Sequence, residues 1–177
     1  MAFGTKQHGT NRFGVPGRFG AGRFGEPLKL KIGDFYLGGI VTYLDASGQH
    51  GFVAALTDQS AGTAFSNITG LYAGASAESV GTGASNTDKI INQVGHTASA
   101  ASLCRNLGSD WHLPSKNELG LMYAQKTIIG LASANYWSSS EYGAGIPTIA
   151  RAILSNGSYD TKNKTDSTIR VRAIRYF

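Results

Sequence analysis

A break in texture near Leu28 sets the limits on what this chain can fold into. Ahead of it, residues 1–27 hold seven glycines, Pro16 and Pro27 and almost no aliphatic side chains, so neither the helical nor the strand period can be found there. The segment is expected to be an extended or disordered arm, and about 30 residues fully extended would reach roughly 100 Å. From Leu28 onward the chain alternates, runs apolar and turns in the manner of a packed domain. At 177 residues there is room for one domain and one appendage but not for two full cores. The expected division is an arm over residues 1–31 and a domain over residues 32–177.

Charge follows the same division. Lys6, Arg12, Arg18, Arg23, Lys29 and Lys31 against Glu26 alone give the first 31 residues a formal charge of +5, which is the whole net charge of the chain. Residues 32–177 are neutral overall, so the domain itself carries no electrostatic footprint for nucleic acid. The arm lacks the apolar run of a cleaved export signal, and no stretch approaches the ~20 apolar residues of a membrane span. No membrane span is therefore expected.

Within the domain, "LKLKIGDFYLGGIVTYLDASGQHGFVAALT" predicts strands near 28–32, 39–44 and 51–57, the last two joined as a hairpin through Ser47-Gly48. Residues 58–85 are rich in small side chains and read as a long packed loop, a length uncommon without a function. Ile90, Ile91, Val94, Ala98, Ala101 and Leu107 follow helical spacing from Asn86, with Gly95 placed to break the element in two. Ser115-Lys116-Asn117-Glu118 has the S-x-x-E form of a capping box and predicts a short helix behind Pro114. Strands return at 135–142, 148–155 and 167–177, with Asn156-Gly157 as a turn and Arg170 and Arg172 alternating with buried Ile169, Val171 and Ala173. Strands at both ends with helices between them make an α+β domain.

The residues that carry chemistry do not converge. His8, His50, His96 and His112 lack metal-ligand spacing, and Cys104 is the only cysteine, so neither a zinc site nor an intramolecular disulfide is expected. Its context, "AASLCRNL", is that of a small buried hydrophobe. Ser138-Ser139-Ser140 has no G-x-S-x-G elbow around it and is expected to satisfy backbone groups. "GTG" at 81–83 lacks the rest of a phosphate-loop pattern and reads as a turn. Trp111 and Trp137 are expected in the core. No catalytic residue, metal or cofactor is assigned, and the chain is not expected to be an enzyme.

The arm repeats one phrase three times, as Arg12-Phe13-Gly14, Arg18-Phe19-Gly20 and Arg23-Phe24-Gly25. Burying three phenylalanines gains roughly 5–9 kcal/mol, whereas ordering about 14 residues costs about 1–2 kcal/mol each. The arm cannot fold on itself. It is expected to dock Phe13, Phe19 and Phe24 on a preformed partner surface that also meets Arg12, Arg18 and Arg23. A bare linker and a contact to nucleic acid are the other readings.

"GGIVTYLDASGQHGFVAAL" at 38–56, "GTGASNT" at 81–87, "AASLCRNLGSDWHLPSKNEL" at 100–119, "NYWSSSEY" at 135–142 and "IRVRAIRYF" at 169–177 together resemble the domain at the C-terminus of the Lcl collagen-like adhesin, similar to domains in phage fibre proteins. The resemblance implies a C-type-lectin-like fold, with two short helices beside small antiparallel sheets and the terminal strands paired. It gives Trp111, Leu113, Pro114 and Trp137 framework roles. The calcium signatures of sugar-binding lectins and the paired cysteines of sulfatase-modifying enzymes are both missing, so the resemblance implies binding without metal or catalysis.

In such folds the ligand-reading side chains come from loops near the C-terminal strands, which points to Asn135, Tyr142, Asn156, Tyr159, Lys162 and Lys164. Tyrosine and asparagine suit a surface that adapts to its ligand. The combined expectation is a phage virion structural protein, a fibre or decoration protein made in the host cytoplasm. Its arm would bind a capsid, tail or fibre component, and its domain would face a host surface glycan or protein. A homo-oligomer, with a trimer as the form the family suggests, is expected. A bacterial surface adhesin, or a protein whose basic arm binds nucleic acid, is the alternative.

Overall fold

The computed structural model describes residues 29–177, so the three Arg-Phe-Gly triplets and the expected arm as far as Leu28 lie outside the described residues. Strand pairing starts at Phe35. The alternation of leucine and lysine around residues 28–32 does not form a strand among the described residues, because the chain turns at Gly33, whose φ is 97°. The Asp34 carboxylate closes that turn by accepting from the Lys31 amide at 2.8 Å.

The two strands β1 (Phe35–Tyr36) and β2 (Gly39–Leu44) are joined by Leu37 and Gly38, with φ of 46° and 83°. Two consecutive positive φ values match the twist of a tight hairpin. Leucine in that conformation costs roughly 1–2 kcal/mol. β2 pairs with β3 (Gly51–Ala55) across a bulge between Val41 and Tyr43, where the backbone approaches so closely that a Cβ on Gly51 would collide with the Tyr43 carbonyl. β3 stops at Ala55, and Leu56 and Thr57, expected to continue it, are exposed.

The C-terminal strand β8 (Ile174–Tyr176) is inserted between β3 and β4 (Trp111–His112), giving a five-stranded antiparallel sheet in the order β1-β2-β3-β8-β4. Of the expected strand at 167–177, only these three residues form a ladder; Arg170 and Val171 make isolated bridges to Tyr136 and Ser60. Arg172 does not face solvent as the alternation predicts. It is buried, with its Nε donating to Asp58 at 2.7 Å and its Nη1 to the Ala55 carbonyl at 2.8 Å. Asp58 also receives Arg170 at 3.0 Å, so one loop carboxylate is shared by two cations, and backbone carbonyls accept the remaining Arg172 donors.

A second antiparallel sheet contains β5 (Tyr136–Glu141), β6 (Ile149–Ile153) and β7 (Tyr159–Asn163), in that order. Asn156-Gly157 makes the turn between β6 and β7, with φ of 89° at the glycine. Between the sheets lie four helices, α1 (Gly83–Ile91), α2 (Ala100–Arg105), α3 (Lys116–Ala124) and α4 (Lys126–Ile129). Gly95, with φ of 83°, separates α1 from α2. Ser115 and Glu118 form the reciprocal cap at the start of α3 that their spacing predicts. The one-turn helix α4 has no such signature. The mixed content and antiparallel sheets make this an α+β domain.

Glu118 does more than cap its own helix. Fully buried, it accepts from the amides of Gly81 at 2.6 Å and Gly83 at 3.4 Å, and from the Tyr176 hydroxyl at 2.8 Å. The amides of the "GTG" turn thus hold an internal carboxylate, tying α1 and β8 to α3. The long loop between β3 and α1 is packed as its composition predicts. Phe65 is buried and meets Trp137 edge to face at 5.5 Å, while the Trp137 indole donates to the Thr63 carbonyl at 2.8 Å. Trp111, Trp137 and Cys104 all belong to the larger apolar cluster, to which Leu30 adds from the edge. Burial pushes the Cys104 thiol pKa up, leaving it protonated and inert. No helix among the described residues is long and apolar enough to cross a membrane.

Candidate ligand-binding surface

The register of the second sheet decides which side chains can share a surface. Ala152 opposes Trp137 and Asp160, and Ala150 opposes Glu141 and Lys162, so these positions share the face whose Trp137, Ala150 and Ala152 join the larger apolar cluster. Side chains alternate along a strand. Ile149, Arg151 and Ile153 on β6, with Tyr159, Thr161 and Asn163 on β7, therefore take the other face, of which Ile153 is buried in the second apolar cluster with Leu119 and Met122 of α3.

Beyond Ile153 on that face, Arg151 lies 4.7 Å from the Tyr142 ring and donates its Nε to Glu78 at 2.9 Å. The other Glu78 oxygen accepts from Lys116 at 2.6 Å, and the Lys116 ammonium lies 5.2 Å from the Tyr159 ring. The result is a continuous strip, Tyr142–Arg151–Glu78–Lys116–Tyr159, with tyrosines 46% and 45% exposed at its two ends. Burial disfavours the Glu78 carboxylate, but the hydrogen bonds and charges of Lys116 and Arg151 outweigh it and hold the carboxyl pKa below its usual value. The strip keeps one net positive charge.

The parts are held from beneath. The Lys116 amide donates to Ser140 Oγ at 3.0 Å, and that hydroxyl donates to the Ala77 carbonyl at 2.8 Å, beside Glu78. The Asn117 amide donates to the Glu78 carbonyl at 3.0 Å. Ser138 donates to the Arg151 carbonyl at 2.9 Å. Two members of the serine run thus serve the backbone, as their context predicts. Gly120 makes room for the tyrosine at the far end, since a Cβ there would sit against the Tyr159 hydroxyl.

The sequence-derived surface residues divide accordingly. Tyr142 and Tyr159 are brought onto this strip. Lys162 lies on the opposite side of β7, paired with Asp160 at 2.8 Å. Asn135 is engaged through its side-chain oxygen by the Ser155 amide at 3.1 Å, and Asn156 by the Ser158 amide at 3.0 Å, so both close loop structure. Lys164 belongs to the interior and not to a ligand surface. It is fully buried, its ammonium 2.5 Å from Glu141 and 2.9 Å from the Leu71 carbonyl. Glu141 in turn accepts from the amides of Ala73 and Ala75, so the pair ties the long loop to the second sheet. The docking residues Arg12, Phe13, Arg18, Phe19, Arg23 and Phe24 lie outside the described residues.

Lys116, Glu78 and Arg151 carry the strip and were not singled out in the sequence. Arg151 left a trace, a charge between Ala150 and Ala152 in an otherwise apolar strand; Glu78 left none. Half-exposed rings beside cations suit hydroxyl-rich or anionic ligands, offering an apolar face and N–H donors together. Among the described residues no group of three or more His, Cys, Asp or Glu side chains is placed to hold a metal ion. No family model matches the chain, and no curated protein matches it.

Proposed function

We propose that this chain is a structural protein of a phage particle, a fibre or decoration protein, whose C-type-lectin-like domain binds a host-surface glycan of hydroxyl-rich, acidic character. The observation that carries the reading is the strip Tyr142–Arg151–Glu78–Lys116–Tyr159, with its two half-exposed rings and its surplus positive charge. The fold class supports it: helices lie beside two small antiparallel sheets, and the C-terminal strand is paired with a strand of the N-terminal hairpin. The Arg-Phe-Gly arm attaches the domain to a capsid, tail or fibre component. Weak contacts repeated on one particle become tight through effective concentration.

Two measurements test this reading. Intact protein is applied to immobilised acidic and neutral polysaccharides beside Tyr142→Ala and Tyr159→Ala variants. Binding confined to acidic sugars and reduced about tenfold or more by either change, the loss of a contact worth about 1.4 kcal/mol, is the expected result; equal binding by all three proteins excludes the strip. For the arm, deletion of residues 1–27 and the Phe13, Phe19, Phe24→Ala triple variant are expected to stay folded yet fail to join particles, and normal incorporation of both removes the anchoring role.

A further inference from the structure

A cleft of about 150 Å³ lies past the Tyr159 end of the strip, between the α4 segment and the chain leaving β6. Leu131 and Ala132 give it an apolar wall, Ser133 and Ser155 bring hydroxyls, and Tyr123 and Lys126 complete the lining. At about 30 Å³ per water molecule it has room for roughly five, the scale of a single sugar ring and not of a peptide segment.

Lys126 is held at this cleft. Its ammonium lies 4.7 Å from the Tyr123 ring and donates to the Tyr123 hydroxyl at 3.1 Å, and that hydroxyl donates to the Ser155 carbonyl at 2.6 Å. One of the three ammonium donors is thereby used and two remain. No acid in the surrounding chain answers them. Residues 119–140 and 142–159 hold Lys126 and Arg151 as their only charged side chains, and Arg151 is paired with Glu78. The cleft therefore keeps a positive charge that is uncompensated among the described residues.

Helix α3 joins the cleft to the strip. Lys116, Gly120 and Tyr123 share one face of that helix, and the face meets the β6–β7 hairpin at two places. The Tyr159 hydroxyl takes the space of a side chain on Gly120, and the Tyr123 ring lies so close to Gly157 that a Cβ there would collide with it. Tyr159 and Tyr123 thus flank one turn, and seven residues of helical rise set Lys116 and Tyr123 roughly 10 Å apart along the axis, the span of a short oligosaccharide.

We propose that the cleft is a second subsite for the acidic glycan carried by the strip. It takes one sugar ring, whose anionic group meets Lys126, whose hydroxyls meet Ser133 and Ser155, and whose apolar face lies on Leu131 and Ala132. The inference rests on the reading of the strip and extends it, because a site with two joined cationic ends selects for chain length. A glycan too short to reach from Lys116 to Lys126 gains one contact, and a longer one gains both without a second loss of freedom.

The test is calorimetric titration of the intact protein with oligogalacturonates of two, four, six and eight residues, plain and sulfated, beside Lys126→Gln, Ser133→Trp and Tyr142→Ala. Ser133 is exposed, so tryptophan there fills the cleft without entering the core. Wild-type affinity is expected to rise about tenfold or more between the shortest and longest chains, a gain of about 1.4 kcal/mol. Lys126→Gln and Ser133→Trp are each expected to bind the longest chain no better than the shortest, and Tyr142→Ala to bind every length more weakly. If Tyr142→Ala weakens binding while both cleft variants keep the full rise with length, the second subsite is overturned and the strip reading stands. If the cleft variants weaken binding at every length and Tyr142→Ala is silent, the strip reading falls and the joined site falls with it. Absence of binding at every length, plain and sulfated, overturns both.

Discussion

At the scale of single residues, the interior holds charges that local context does not announce. Lys164 lies in "TKNKTD" and reads as a ligand-facing surface lysine, yet it is buried against Glu141 from a strand 23 positions earlier. Removing one partner of such a pair leaves an uncompensated buried charge, and Lys164→Met is expected to cost about 3–5 kcal/mol in urea unfolding. Adding Glu141→Gln should recover part of that loss. Recovery will be incomplete, because the carboxylate also accepts the Ala73 and Ala75 amides. Trp137, by contrast, was legible as core because so large an apolar ring is seldom left to solvent. Titration adds a second residue-scale expectation. His112 is stacked on Tyr176 and buried 3.9 Å from Glu118; burial lowers its pKa below 6.5, against the raising effect of that carboxylate. The unfolded chain then binds more protons than the folded one just below pH 6.5, so stability falls as pH drops through that value. His96, also lowered by burial, adds to the same slope. His112→Phe keeps the ring stack and should flatten the decline in melting temperature between about pH 7 and 5; an unchanged slope would assign the effect elsewhere.

At the scale of elements, turns and caps were readable where one residue's chemistry decides the backbone, and unreadable where a neighbour does. Asn156-Gly157 and Ser115-Glu118 act locally and appear where expected. β7 was read as a ligand loop because Tyr159–Asn163 is polar on both faces; it is a strand because β6 offers it a ladder. The same dependence places Tyr159. Its hydroxyl occupies the space left by Gly120 on α3, so the helix sets the end of the strip. Gly120→Ala should raise intrinsic helix stability by about 1 kcal/mol while pushing the half-exposed ring outward. The expected outcome is a melting temperature unchanged or slightly higher with sugar binding reduced as in Tyr159→Ala; a large loss of stability would mean that the ring cannot move.

At the scale of the whole molecule, the α+β class could be inferred from texture alone, while the strand order could not. Sequence proximity joins β1, β2 and β3, but the position of β8 between β3 and β4 depends on contacts across most of the chain. Deleting residues 174–177 removes an interior strand of the sheet together with the Tyr176 hydroxyl that holds Glu118. That variant is expected to show no cooperative unfolding transition by circular dichroism, whereas a truncation at a frayed edge would leave one.

The same strand fixes a timetable for the cell. About 120 residues separate Ala55 from Ile174, which at 5–20 residues per second is roughly 6–24 s of translation. During that interval the β3 segment, with Phe52 and Val53, has been made and can pair with β2, but its partner on the other side has not. Many copies growing along one message would hold the same unfinished edge at once, close together and ready to pair with one another. A cell producing this chain in quantity thus depends on chaperone capacity during elongation more than after release.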